Sequence, residues 1–354
     1  MDKRTVLLLG ISVLILLAML YFVGIDQVID ALKVANIGVI ALAILTQVFT
    51  YFLYTLRWQI LNKLAGMDVG IKKLLPMILV GLAVNNITPS GRGGGEPVRA
   101  YLLSKENEEY HFEDTLATVV ADRALDTFPF VVLAAITIIS MTLFFSLDLW
   151  LLVVMILAVI VIIAILIVLI YMCINPGFGS KVDGWIIGLV RRFYKRNSEK
   201  LENQIHDAIF GFQDTMKLLI SNKKGLVYTL TLSFIIWIFE IFRVYLVFLA
   251  FGANVNPIII GEVFIVACLV GMIPLLPGGL GAVDGLMILF YSAAGVSASV
   301  SAAATVIERL ISFWMATIIG MVIMPYYGSS VLDKISSNSS SNEIEESAEN
   351  EVEG

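Results

Sequence analysis

Arg57, Arg99, Arg123, Arg243 and Arg309, with Glu96, Asp122, Asp284 and Glu308, stand in or beside apolar stretches of the chain. On insertion scales a charge at the centre of a membrane helix costs roughly 2.5–3.5 kcal/mol, and it usually faces a bundle interior. Arginine in such a place suits phosphate, because its planar fork grips two oxygens at once. A carboxylate there can fix an arginine, bind a cationic head group or relay a proton. Arg92, Asp126, Glu240 and Glu262 complete the inventory. Glu240 and Arg243 share a helix face at i, i+3 and can pair, and Asp122 and Asp126 share another at i, i+4.

These residues recur in order. Pro89-x-Gly91-x-Gly93-x-x-Glu96 returns as Pro277-x-Gly279-x-Gly281-x-x-Asp284. Arg57 precedes the first copy and Arg243 the second; Asp122-Arg123 follows the first and Glu308-Arg309 the second. The offsets are 186 residues for the leading arginines, 188 for the motif carboxylates and 186 for the trailing pairs. Three matches in one order point to a duplicated unit. In a membrane protein, paired Gly/Pro-interrupted segments are the best sequence pointer to a midplane binding site.

The elements that must position these charges are membrane helices. The chain is 59% hydrophobic, with a mean hydropathy of +0.92, far above a soluble domain. Runs near the ~20 apolar residues that cross a bilayer are 5–24, 37–56, 127–147, 149–174, 226–251 and 302–326. The first is longer than a signal-peptide core and lacks a cleavage site, so it is expected as a retained helix. Between the long runs lie two shorter apolar pairs, each broken at a Pro-Gly motif. Proline removes a donor and glycine permits non-helical dihedrals, so the helix breaks there. Broken backbone at membrane depth survives only inside protein or beside trapped water. Glu96 and Asp284 then fall near the N-terminus of a returning half-helix, where the helix dipole favours negative charge.

Charge sets orientation. Residues 175–224 hold nine Lys/Arg against five acids, and Lys63, Lys72 and Lys73 follow the second long run. The opposite loops are nearly free of basic residues, so both termini, the Lys63–Lys73 loop and the central basic segment are expected in the cytoplasm. The segment Arg191–Lys200 reads either as an amphipathic helix on an anionic inner leaflet or as ordinary topology-setting charge. With this orientation the two halves have inverted topology. The expected fold is an all-α polytopic membrane protein of about six spanning helices plus two broken or re-entrant hairpins in two inverted repeats. Its parts are an N-terminal helix and loop (1–36), a first repeat (37–147), an extra spanning helix with a basic segment (148–224), a second repeat (225–327) and an acidic disordered tail (328–354).

Other chemistry lacks support. Cys173 and Cys268 make no redox or disulfide pattern, and His111 and His206 stand alone. No metal, cofactor or nucleic acid is expected. The Pro-Gly motifs also suit tight packing turns, and any one carboxylate–arginine pair also suits a structural ion pair.

The run Asn85-Asn86-x-x-Pro89-x-Gly91-x-Gly93-x-x-Glu96-x-x-Arg99, the later Pro277-Gly278-Gly279-Leu280-Gly281 and the Arg309 helix resemble the transmembrane region of the lysylphosphatidylglycerol synthase/flippase family. That family usually has Glu where this chain has Asp284. The resemblance implies a lipid-handling role in the cell membrane. In two-domain members this region moves an aminoacylated phospholipid across the bilayer, and a cytoplasmic domain attaches the amino acid. Here only the acidic tail follows Tyr327, so synthase activity is not expected. The expectation is a flippase-like protein that moves a polar phospholipid or lipid-linked head group between leaflets. Arg57, Arg99, Arg123, Arg243 and Arg309 would hold phosphate, and Glu96, Asp122, Asp284 and Glu308 would fix them or bind a cationic head group. The alternatives are an ion- or proton-coupled small-molecule transporter, a membrane-embedded head-group transferase and a subunit that positions a partner enzyme.

Overall fold

The computed structural model describes residues 33–88, 94–144, 149–175, 198–271 and 281–327, with a few isolated positions besides. Among them all regular structure is helical. The expected N-terminal helix, motif residues Pro89, Gly91, Gly93, Pro277 and Gly279, Arg92, the Arg191–Arg196 cluster and the acidic tail lie outside the described residues.

Two helices carry the leading arginines. Helix α1 (Ile37–Leu64) and helix α7 (Lys223–Ala250) are each 28 residues long, and both ends are offset by 186. Their punctuation matches. Asn36 Oδ1 accepts from the Val39 amide at 3.2 Å and Asn222 Oδ1 from the Gly225 amide at 2.9 Å, so each N-terminus has the same side-chain cap. Beyond each C-terminus Gly66 and Gly252 turn the chain with φ of +84° and +68°, a conformation that glycine alone adopts without strain. The two helices pack along their length and run antiparallel: Gln47 meets Arg243, Tyr54 meets Glu240 and Arg57 meets Ser233.

Each of these helices leads into a short helical pair. Helices α2 (Ile71–Ile87) and α3 (Gly95–Ser104) flank the first Pro-Gly motif; helices α8 (Pro257–Gly271) and α9 (Ala282–Ala293) flank the second. At 1.5 Å per residue α3 and α9 reach about 15 and 18 Å, against a hydrocarbon core of ~30 Å. The arms of the first pair touch backbone to backbone. A Cβ on Gly95 would run into the Gly81 carbonyl and come within 3.0 Å of Asn85 Cγ, so only glycine fits.

Long helices follow the pairs. Helix α4 (Phe112–Phe144) and helix α10 (Ala298–Tyr327) again start 186 residues apart. Both begin earlier than hydropathy suggested, at Phe112 rather than Thr127 and at Ala298 rather than Ala302. The polar first turns hid these starts, and the consequence is that Asp122-Arg123 stands inside its long helix, as Glu308-Arg309 was expected to do in the other. Helix α10 contains one π turn, Leu310–Trp314, directly after Arg309. Each long helix packs on the other half's short pair: α4 on α8, and α10 on α2. There Asn86 Nδ2 donates to the Phe313 carbonyl at 3.1 Å and to Thr317 Oγ1 at 2.8 Å, and Gly320 lies against Leu79 and Ala83.

Four described helices are long and apolar enough to cross a membrane: α1, α4 (Phe112–Leu143), α7 and α10. Between the halves lies helix α5 (Leu149–Ile174), with an apolar stretch Leu152–Val168. It leaves Val153, Val154, Leu157, Ile160, Val161 and Ile165 uncovered, as a lipid-facing helix does. Helix α6 (Ser198–Ser221) is amphipathic and docks on α4 through Met216 and Leu219 against Ala117 and Ala121, with Thr215 Oγ1 donating to Asp114 Oδ1 at 2.6 Å. The chain is thus a multi-pass helical membrane protein.

Candidate functional site

The charges of both halves converge on one cavity of about 170 Å³. In the first half Arg57, 1% exposed, donates from Nε to Asp122 Oδ1 at 2.8 Å and from Nη1 to Asp126 Oδ1 at 2.9 Å. Helix α1 supplies the arginine and α4 the acids. Asp122 Oδ2 accepts from Arg99 Nη2 at 3.0 Å, which ties in α3. Arg123 grips Glu96 with two nitrogens, Nε at 2.9 Å and Nη2 closer still. Asn85 Nδ2 donates to Glu96 at 3.2 Å while its Oδ1 accepts from the Gly95 amide at 2.6 Å, so one side chain links the arms across the motif.

The second half repeats the scheme. Arg243 Nη2 donates to Glu308 Oε1 at 2.8 Å, with the same 65-residue separation as Arg57 and Asp122. Its Nη1 reaches Glu240 and Gln47. Arg309 Nε bonds Asp284 Oδ1, whose other oxygen accepts from the Gly281 amide at 2.9 Å and closes the α9 N-terminus. Gly281 has φ of +82°, a turn that fits glycine. Glu96 and Asp284 thus occupy the first turn of the returning short helices, as the motif spacing predicted.

Contacts between the halves are reciprocal. Arg57 Nη1 donates to Ser233 Oγ at 2.8 Å, and Arg243 to Gln47. Ser233 stands 186 residues after Gln47, as Arg243 does after Arg57. Each arginine therefore reaches to the same place on the opposite helix.

Of the residues expected in a site, Arg57, Arg99, Asp122, Arg123, Arg243, Glu308 and Arg309 line the cavity, and Glu96 and Asp284 stand behind it on Arg123 and Arg309. Sequence reading missed Gln47, Tyr54, Trp58 and Ser233, which are uncharged and carry no motif. The expected i, i+3 pair of Glu240 and Arg243 is present, while Asp126, placed only on the face of Asp122, also engages Arg57. Glu262 is buried on α8 and does not line the cavity.

Buried pairs of this kind combine electrostatic attraction with hydrogen bonds, but desolvation offsets much of the gain. Their informative part is the N–H groups left over. Arg99 Nε, Arg243 Nε and Arg309 Nη2 are buried without a hydrogen-bond partner. Arg99 uses Nη2 and Arg309 uses Nε for their bonds. Both line the cavity with donors to spare. Every acid lining the cavity is, by contrast, engaged by arginine. At 170 Å³ the cavity is below the ~300–1,000 Å³ of a pocket for a whole drug-sized ligand.

Residues 6–320 match the family described as the lysylphosphatidylglycerol synthase TM region. Similar proteins come from archaea. A UPF0104 membrane protein of Methanothermobacter thermautotrophicus is 49% identical over 335 residues, 95% of this chain and 99% of the relative. The UPF0104 membrane protein MJ1595 of Methanocaldococcus jannaschii is 34% identical, over 91% of this chain and 94% of the relative. The UPF0104 membrane protein PH1989 of Pyrococcus horikoshii is 28% identical, over 92% and 97%. With its two halves, its charge pattern and its whole apolar length accounted for, the chain belongs to the family of the lysylphosphatidylglycerol synthase transmembrane region.

Proposed function

We propose that this protein moves a polar phospholipid or lipid-linked head group between the leaflets of the cell membrane, with the head group in the charged cavity and the tails in lipid. The observation that carries the reading is the pair Arg99 and Arg309: buried in a cavity between the halves, each held by one acid and each with a buried N–H lacking a partner. Guanidinium donors suit oxyanions, phosphate among them. Antiparallel α1 and α7 with reciprocal contacts support two inverted repeats, the arrangement that places a site at the bilayer midplane. On this reading both termini face the cytoplasm and Arg191–Lys200 lies on the anionic inner leaflet. A proton relay or a general base among the cavity acids is less favoured, because arginine engages each of them. No observation favours the partner-enzyme alternative.

The test is lipid translocation in liposomes that contain purified protein, read with head-group-labelled lipids and an impermeant quencher. Protein-dependent loss of protected signal that disappears in Arg309→Met supports the reading. If no head group, including lipid-linked sugars, is moved with or without an ion gradient, the reading fails.

A further inference from the structure

The two halves differ in one cation. Each contributes three acids to the arginine network: Glu96, Asp122 and Asp126 from the first, Glu240, Asp284 and Glu308 from the second. Among the described residues the first half sets three arginines with them, Arg57, Arg99 and Arg123; the second sets two, Arg243 and Arg309. The offset of 188 that relates Glu96 to Asp284 relates Arg99 to Met287. Met287 sits on the matching short helix, is 1% exposed and lines the same cavity.

The second half works as an internal control on what Arg99 is for. Glu308, the counterpart of Asp122, is held within salt-bridge distance by Arg243 and, among the described residues, by no second arginine. Asp122 already has Arg57. A second arginine is therefore not required to hold this carboxylate. Arg99 nevertheless has a prepared seat. Its guanidinium lies over the Trp58 ring at 4.2 Å, whereas the residue 186 positions on is Val244. Gly81 leaves room for its stem: a Cβ there would lie 2.6 Å from Arg99 Cγ. Stacking covers the face of the fork and leaves its N–H edge free to bond. One bond leads to Asp122, and Nε–H is buried without a partner although Arg99 is only 6% exposed.

We propose that Arg99 is the docking residue for the anionic group of the ligand, a phosphoryl oxyanion. This rests on the reading of the cavity as a ligand site; that the phosphoryl group belongs to a lipid rests in addition on the translocation reading. Arg309 then completes the grip from the other wall, and Met287 offers the second half's side of the cavity an apolar surface.

The experiment titrates purified protein by calorimetry with dihexanoylphosphatidic acid, inorganic phosphate and uncharged dihexanoylglycerol. Wild type is compared with Arg99→Met, which copies the second half, and with Arg99→Gln, which still donates to Asp122 should the methionine variant not fold. The expected result is binding of phosphatidic acid by wild type and a roughly tenfold to hundredfold weaker affinity in the variants, the size of one lost charge-assisted bond. Affinity for dihexanoylglycerol stays unchanged while the thermal midpoint falls with the loss of the Asp122 bond, whereas a purely structural role for Arg99 would weaken both ligands alike. Equal phosphatidic acid affinity in wild type and a folded variant overturns the assignment, even where wild type moves lipid. Failure of wild type to bind either anion overturns it too. Binding of inorganic phosphate as tightly as the lipid, with the same loss in the variants, upholds Arg99 and counts against lipid as the source.

Discussion

The Tyr54 hydroxyl donates to Glu240 Oε1 at 3.3 Å, and the two residues stand 186 positions apart, the offset that separates Arg57 from Arg243. Tyrosine and glutamate therefore occupy matching places on α1 and α7 and meet where the helices cross. The 186-residue offset keeps the position while the chemistry differs. Arg243 takes its second acid from its own helix through Glu240, whereas Arg57 takes it from α4 through Asp126.

Arg57→Met removes the cation from two buried carboxylates. Stranding a buried partner costs about 3–5 kcal/mol, so the variant is expected to lose most of its thermal stability in detergent. Adding Asp126→Asn should restore part of it, because Asp122 retains Arg99. Lys73→Ala, which breaks a bridge to Glu106 whose lysine is 63% exposed, should change stability by only about 0–1 kcal/mol. A thermal-shift series across these variants checks the ordering; equal effects at Arg57 and Lys73 would refute it.

Two glycines should separate fold from function. At Gly320 an added Cβ meets the Leu79 carbonyl and Ala83 Cβ, neither of which can turn aside, so Gly320→Ala should destabilise by roughly 1–3 kcal/mol, as overpacking does. At Gly81 the closest obstacle is the stem of Arg99, so an added methyl pushes the fork off its seat between Trp58 and Asp122. Gly81→Ala is expected to yield folded protein with impaired ligand binding. Thermal midpoints and anion titrations on the same preparations decide the matter.

Reciprocity predicts matched effects. Ser233→Ala removes one bond from Arg57 and Gln47→Ala one from Arg243, each a bond to a charged group worth about 1.5–3 kcal/mol. The bond losses should match, with a further cavity cost for the longer, buried Gln47 side chain, and the double variant should show the sum unless the contacts are coupled through the α1–α7 interface. Chemical denaturation of the four proteins provides the cycle.

The halves also differ in exposure. Arg123 has a side chain 42% exposed while its counterpart Arg309 is 6% exposed, and their acids Glu96 and Asp284 stand at 13% and 3%. Inverted repeats that exchange conformations would exchange these exposures. With Cys173 and Cys268 changed to serine, Arg123→Cys should react with an impermeant maleimide much faster than Arg309→Cys at rest. Addition of transported lipid should speed the reaction at position 309. An unaltered rate there, in protein that still moves lipid, would exclude such an exchange.

Much of the architecture was written in spacing. The repeated Pro-Gly motif and the offsets of 186 and 188 marked Arg57, Glu96, Asp122 and Arg123 with their counterparts, because charge in an apolar run stands out against its neighbours. Helix starts were less legible: the turns at Phe112 and Ala298 are polar or small, and hydropathy placed both starts too late. Asn36 and Asn222, which cap α1 and α7, carry no charge and passed unnoticed although they keep the same offset. Trp58 and Gly81 were invisible for a different reason. Their roles exist only relative to Arg99, and no pattern along the chain brings the three together.

The arginines that cross between α1 and α7 also set an order on biosynthesis. Arg57 enters the membrane before any of its partners exists: Asp122 is made 65 residues later, Asp126 69 and Ser233 176. Arg243 finds Gln47 already in place and waits only for Glu308, 65 residues on. The nascent chain must therefore hold an unneutralised arginine in its first half, at an insertion cost of roughly 2.5–3.5 kcal/mol, until α4 arrives. A truncation between Arg57 and Asp122 would leave a helix that carries its arginine without either carboxylate.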